Sequence, residues 1–262
     1  MLVVFLLFFT KLTFWLVFDF IVRTSHLYRP PAKFAIEETG PKVGSKGKDM
    51  KIGILGAGMV GRAFAAVALK HGHDVMLSNS RTPDTLFTLR AVLNCKIGSP
   101  QEAAAFGDIV LVAIPLKNYA SVPVAPLEGK IVIDANNYYP ERDGHIGELD
   151  RDETTTSELL ARHLPKSKIV KALNAIEAPG IEQEGRLPNS SERRAHPIAG
   201  DDPAAKQVVA DLLNQFGFDV VDTGPLAEGR CFQKRTPAYC VPFNAKDLRL
   251  ALARAVETIT RT

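Results

Sequence analysis

The chain has 262 residues, of which 46% are hydrophobic and 23% charged, with a formal net charge of +3; this is ordinary for a soluble globular protein of one large domain or two small ones. No lysine- or arginine-dense tract is present, so nucleic-acid binding has no electrostatic footing. Cys95, Cys231 and Cys240 are odd in number, widely spaced and free of any Cys-x-x-Cys pattern, so neither a disulfide framework nor a zinc site is indicated, no metal is expected, and a reducing, cytoplasmic compartment fits best.

Met1 to Val22 is almost wholly apolar, with Lys11 and Asp19 as its charges, and is long enough to span a bilayer. Arg23, Arg29 and Lys33 follow it; by the positive-inside rule an inserted span would leave the rest of the chain at the inner face of the membrane. The second reading is a leader from a start assigned upstream, because Met50 stands directly before the first strand and Arg29 to Asp49 carries no packing pattern. A cleavable signal peptide is disfavoured, since a basic start and a small-residue cleavage site are missing. The expected organisation is therefore a hydrophobic leader and linker over 1–49, a membrane anchor or a mis-assigned start, followed by one domain over 50–262.

Ile52 to Leu55 is a short apolar run that breaks into Gly56-x-Gly58-x-x-Gly61 and then into the amphipathic run Arg62 to His71. Strand, tight turn and helix start make a dinucleotide-binding turn: Gly56 permits the turn, Gly58 lets a pyrophosphate approach the backbone, and Gly61 lets helix and strand pack closely. The N–H groups from Gly58 through Met59 and Val60 to Gly61, with the positive end of the helix dipole, are expected to hold the phosphates. The strand Asp74 to Leu77 then leads into Ser78-Asn79-Ser80-Arg81-Thr82, without the acid that would accept hydrogen bonds from an NAD ribose. Ser80 can donate a hydrogen bond and Arg81 offers a planar, permanently charged fork, so NADP(H) is expected over NAD(H). The plainer reading of Asn79 to Asp84 is a polar turn that caps the next helix.

Leu86 to Leu93 and Gln101 to Phe106 read as helices with Lys96-Ile97 as a brief strand between them. Asp108 to Ile114 is a continuous apolar run ending in Pro115, the pattern of a parallel strand buried on both faces. Lys130 to Asp134 is the next strand and opens into the polar loop Ala135 to Pro140. Helices over Thr156 to His163 and Pro203 to Phe216 alternate with strands over Lys168 to Leu173, His196 to Ala199 and Asp219 to Asp222, and Asn244 to Ile259 reads as a last helix. This alternation predicts an α/β fold, a doubly wound, mostly parallel Rossmann sheet with a short C-terminal helical tail.

Taken together, the glycine turn, Ser80-Arg81, Val112-Ala-Ile-Pro115, Asp134-Ala-Asn-Asn137, Val170-Lys-Ala-Leu-Asn174-Ala-Ile176, Ala199-Gly-Asp-Asp202 and Asp222-Thr-Gly-Pro-Leu226 resemble the NADPH-dependent deazaflavin (coenzyme F420) reductase family. The cytosolic domain of the six-transmembrane metalloreductases shares its fold. The resemblance covers about residues 50 to 250. It implies that Pro115, Asn136, Asn174 and Ala178 surround the nicotinamide and that the protein is a homodimer. Glu177 stands where deazaflavin-using members often carry small residues, and the stretches 138–150 and 235–240 look closer to bacterial members without an established deazaflavin role.

The expected activity is hydride transfer between NADP(H) and a small-molecule redox acceptor, flavin-like or deazaflavin-like, which depends on positioning two rings more than on a strong acid. A carbonyl or imine reductase would need a proton donor, for which His145 and Lys171 are the candidates. Lys171 is otherwise expected as a solvated strand terminus, and Tyr138, Tyr139 and Tyr239 as packing or cofactor-flanking rings. An NADP-sensing protein without turnover is the alternative outside enzymes.

Overall fold

Apolar runs alternating with amphipathic stretches fold here as an open sheet covered on both faces. The computed structural model describes residues 49–188 and 190–259, all within the second of two units of the chain, Lys46–Thr262; the expectations for residues 1–48 lie outside the described residues. In chain order the elements are β1 (Lys51–Leu55), α1 (Met59–Lys70), β2 (Asp74–Ser78), α2 (Phe87–Leu93), β3 (Lys96–Gly98), α3 (Pro100–Phe106), β4 (Ile109–Val112) and β5 (Ile131–Asp134). There follow α4 (Pro140–Asp143), α5 (Gly147–Asp150), α6 (Thr156–His163), β6 (Lys168–Lys171), α7 (Ala178–Gln183), β7 (Ala195–Gly200), α8 (Pro203–Gln215), β8 (Asp219–Asp222) and α9 (Ala245–Ile259).

The strands lie in the order β3-β2-β1-β4-β5-β6-β7-β8. All neighbours from β3 to β6 are parallel, β7 runs antiparallel to β6, and β8 is parallel to β7. The order reverses between β1 and β4, and the crevice outside the carboxyl ends of those strands is where ligands bind in such sheets. Every residue of β4 is buried, which explains its uninterrupted apolar sequence.

One face of the sheet carries Phe64 and Val67 of α1 with Val209 and Leu213 of α8. The other face carries Ala103 and Ala104 of α3 with Leu160 of α6. Leu248, Ala251 and Leu252 of α9 pack with Phe232 in a separate cluster beside β7 and β8. Ser99 with Glu102 and Thr155 with Glu158 form capping boxes at α3 and α6, each cap worth about 0.5–2 kcal/mol. At the other end of α3, the Lys130 ammonium donates to the carbonyls of Ala104, Ala105 and Gly107 at 2.7–2.8 Å, where a cation suits the negative end of the helix dipole.

Two strands stop short of their sequence expectation, β4 at Val112 and β6 at Lys171. The apolar runs outlast strand pairing in both: Ala113 is half-buried and Leu173 buried, and Leu173 turns the chain with φ +63°. Helices α4, α5 and α7, of four to six residues, and the 3-10 helix Leu226–Phe232 have no counterpart among the expectations; four residues, as in α4 and α5, are too few to display a helical period.

His196 on β7 is 1% exposed, with both ring nitrogens unpartnered among the described residues and its ring edge-on to Phe218 at 4.6 Å. Burial, with the Arg194 charge, pushes its pKa down to about 3. The unfolded chain would then bind a proton that the folded one refuses between pH about 6.5 and about 3, so this residue's contribution to stability is present above pH about 6.5 and is lost as pH falls through that window. Chemical denaturation from pH 8 to pH 4 is expected to show stability falling by up to about 1.4 kcal/mol per pH unit from this residue, and His196→Leu should flatten that part of the profile.

Candidate functional site

The chain turns at Gly56 with φ +117°, a backbone state that favours glycine. Its N–H donates to Ser78 O at 3.0 Å, and Ser78 Oγ donates to Ile54 O at 2.9 Å, so the turn is tied to the end of β2. A Cβ at Gly56 would lie 2.2 Å from Ala113 O, and one at Gly61 would lie 1.9 Å from Gly56 O, whereas a Cβ at Gly58 would meet nothing within 4 Å. The first and third glycines thus serve close packing, and the second faces open space. Gly58 caps α1 without a side-chain hydrogen bond, which leaves the N–H groups of the first helical turn free for an anion.

After β2, Asn79 shapes the next loop: its Oδ1 accepts from Arg81 N at 2.9 Å and its Nδ2 donates to Thr85 Oγ1 at 2.9 Å. The segment is thus a polar turn built by Asn79, which carries the exposed Ser80 and Arg81, but contrary to expectation no side chain of it caps the helix that follows. A cavity of about 300 Å³ lies between this loop, the glycine turn and the loop after β4, lined by Gly56, Gly58, Ser80, Arg81, Ile114, Pro115 and Asn118 among others. Its described lining also contains Arg62 and includes no carboxylate. Arg62 lies on α1 with Nε donating to Ala57 O at 2.7 Å, which folds the side chain back over the glycine turn.

Five of the residues expected at the site, Gly56, Gly58, Ser80, Arg81 and Pro115, line this cavity. Gly61 packs against Gly56 O and Ile54, and Met59, 74% exposed, and Val60 begin α1; none of the three is among the lining residues. Asn136 and Asn174 are buried in the loops after β5 and β6, and Ala178 begins α7; these three are not among the lining residues. Arg62, Asn79 and Asn118 line the cavity but were not expected there. Arg62 directly follows the glycine motif, and that position was the available signal.

The two buried amides have defined orientations. Asn136 Oδ1 accepts from Ile114 N at 2.9 Å, which leaves Nδ2 as an unpartnered donor. Asn174 Nδ2 donates to Phe232 O at 3.0 Å and to Asn137 Oδ1 at 3.3 Å, which leaves Oδ1 as an unpartnered acceptor. The loops that carry them are joined by Asn137 Nδ2, donating to Asn174 O at 2.9 Å. Buried polar groups left single in this way are costly.

Lys171 corrects the expectation of a solvated strand end. It is 1% exposed, and its ammonium reaches Asp134 Oδ2 at 3.3 Å, Asn136 O at 2.6 Å and Thr156 Oγ1 at 2.8 Å. Burial lowers its pKa, with Asp134 opposing the shift. The other titrating candidate, His145, has an 84% exposed side chain paired with Asp150 at 3.0 Å. Tyr139 and Tyr239 share a hydroxyl hydrogen bond of 2.5 Å, with Lys234 over the Tyr139 ring at 4.6 Å; burial and this bond hold the Tyr239 pKa up.

Residues 51–138 match the family described as NADP oxidoreductase coenzyme F420-dependent. Protein YjhV of Escherichia coli (strain K12) is 35% identical over 98 residues, which span 37% of this chain and 72% of that protein. Among solved structures, the hypothetical protein SMa0349 from Sinorhizobium meliloti superposes with a TM-score of 0.65 at 26% identity, covering 75% of this chain and 95% of the other. A proposed F420-dependent NADP reductase from Arthrobacter sp. FB24 gives 0.61 at 26% identity over 80% and 95%. The chain belongs to this family of NADP oxidoreductases and is an NADP-dependent enzyme.

Gly58→Ala is expected to leave the melting temperature unchanged and weaken NADPH binding, since its methyl would occupy the phosphate approach. Gly61→Ala should lower stability by about 1–3 kcal/mol through the clash with Gly56 O; thermal melts and NADPH titration separate the two. Arg81→Ala is expected to cost about 1.5–3 kcal/mol of NADPH affinity while sparing NADH, with Arg62→Ala smaller in effect; equal losses for the two nucleotides would contradict a 2'-phosphate contact.

Proposed function

We propose that the protein transfers a hydride between NADP(H) and a flat flavin- or deazaflavin-like acceptor. The observation that carries this reading is the carboxylate-free cavity, with Arg62 and Arg81 in its lining and the glycine turn at one wall. Ser80, Arg81 and Arg62 would hold the 2'-phosphate, the N–H groups from Gly58 to Gly61 the pyrophosphate, and Pro115 and Ala178 the surroundings of the nicotinamide. The free donor of Asn136 and the free acceptor of Asn174 would orient its carboxamide. When bound, NADPH supplies the hydride; the protein's part is orientation and exclusion of water.

The distribution of titrating groups favours a ring acceptor over a carbonyl or imine. Lys171 has its three ammonium protons engaged by three acceptors, and His145 lies on the surface against Asp150. Neither suits the general acid that reduction of a carbonyl or imine requires.

NADPH oxidation by the full chain should be followed by nicotinamide absorbance with free flavins, a deazaflavin, and simple ketones and imines in turn. Turnover with a flavin or deazaflavin, at a rate unchanged in His145→Ala, is the expected result. Turnover with a ketone or imine alone would replace this reading, and tight NADPH binding without oxidation by any acceptor would favour a sensor.

A further inference from the structure

We propose that Lys171 is a positioning residue: its buried ammonium fixes the loop after β5 and, through Asn136, the wall of the cofactor cavity, and it takes no part in proton transfer. This rests on the NADP reading of that cavity. The loop after β5 is held at every polar backbone and side-chain atom of Asn136 except one. Its carbonyl accepts from Lys171 Nζ at 2.6 Å, its N–H donates to Asp134 Oδ1 at 3.0 Å, and its Oδ1 accepts from Ile114 N at 2.9 Å. Ile114 and Pro115 then form part of the cavity lining. The Asn136 Nδ2 left over is the unpartnered donor.

The cation is built into three elements. Asp134 ends β5, Lys171 ends β6, and Thr156 and Ser157 open α6; Ser157 Oγ donates to Asp134 Oδ2 at 2.5 Å. The Lys171 stem lies against Gly229, where an added Cβ would sit 3.4 Å from Lys171 Cγ, so the 3-10 helix Leu226–Phe232 closes the site from the tail side. A buried ion pair is expensive in desolvation, and an apolar pair of similar volume often gives equal or greater stability. What an apolar side chain could not do is grip a carbonyl and thereby set the height of one loop against its neighbour. Three donors on three acceptors are satisfied only when the Asn136 carbonyl is in register, so the ammonium selects one conformation of the loop.

The test uses the full chain and two ligands, NADPH and adenosine 2',5'-bisphosphate, which lacks the nicotinamide half. Lys171→Met leaves Asp134 buried without its cation and is vulnerable in folding, so the charge-free pair Lys171→Met with Asp134→Asn is made beside it. The paired variant is expected to melt cooperatively and to bind NADPH roughly tenfold more weakly, with the bisphosphate affinity within about twofold of wild type. Combined with Asn136→Ala, it should add nothing further, because the effect passes through that residue. Unchanged NADPH affinity, equal losses for both ligands, or additivity with Asn136→Ala would each overturn the proposal. A wild-type protein that bound neither ligand would instead overturn the cofactor reading, and this inference with it.

Discussion

The close contact at Gly56 is the constraint on which the rest of the structure depends. Its N–H is spent on Ser78 O at the end of β2, its carbonyl lies where a Cβ on Gly61 would fall, and its own missing Cβ makes room for Ala113 O at the end of β4. Three strand ends and the start of α1 therefore meet around one residue without a side chain. Because β1 and β4 are also where the strand order reverses, the packing that holds the sheet together and the crevice that opens beyond it have a single origin.

A polar network continues this arrangement away from the cavity. Ile114 N is held by Asn136, Asn136 by Lys171 and Asp134, and Asn137 by Asn174, whose amide reaches Phe232 in the tail. In a region where side chains are almost entirely buried, each of these groups needs a partner or costs free energy. Network connectivity of this sort confers uniqueness on the loops more than it adds net stability, since the desolvation of Asp134 and Lys171 offsets much of their attraction. The unspent atoms, Asn136 Nδ2 and Asn174 Oδ1, are then informative because everything around them is satisfied.

Much of the fold was legible in the residues themselves. The glycine spacing, the apolar run Ile109 to Val112 and the alternation of strand and helix patterns prescribe a doubly wound sheet, because a strand buried on both faces must be apolar throughout and a covering helix must be amphipathic. Ser80 and Arg81 were legible too, since the end of the second strand is fixed by the length of the first crossover and the ribose-binding acid is missing there. The antiparallel direction of β7 was not, as its composition is that of any buried strand. Nor were α4 and α5, each too short to show a period.

Tertiary structure alone decided the polar side chains. Lysine at the end of a strand reads as solvated, because sequence does not reveal that the loops after β5 and β6 and the 3-10 helix from the tail close over it; burial and three acceptors make Lys171 an internal ion instead. Arg62 stays exposed on α1, and it is the bond to Ala57 O that turns its side chain across the glycine motif and into the cavity lining. The sequence by itself determined the parallel part of the sheet and the glycine turn, which follow from local pattern and backbone sterics. The orientation of Asn136 and Asn174 and the burial of Lys171 depend on contacts between segments far apart in the chain, and only the folded structure decides those.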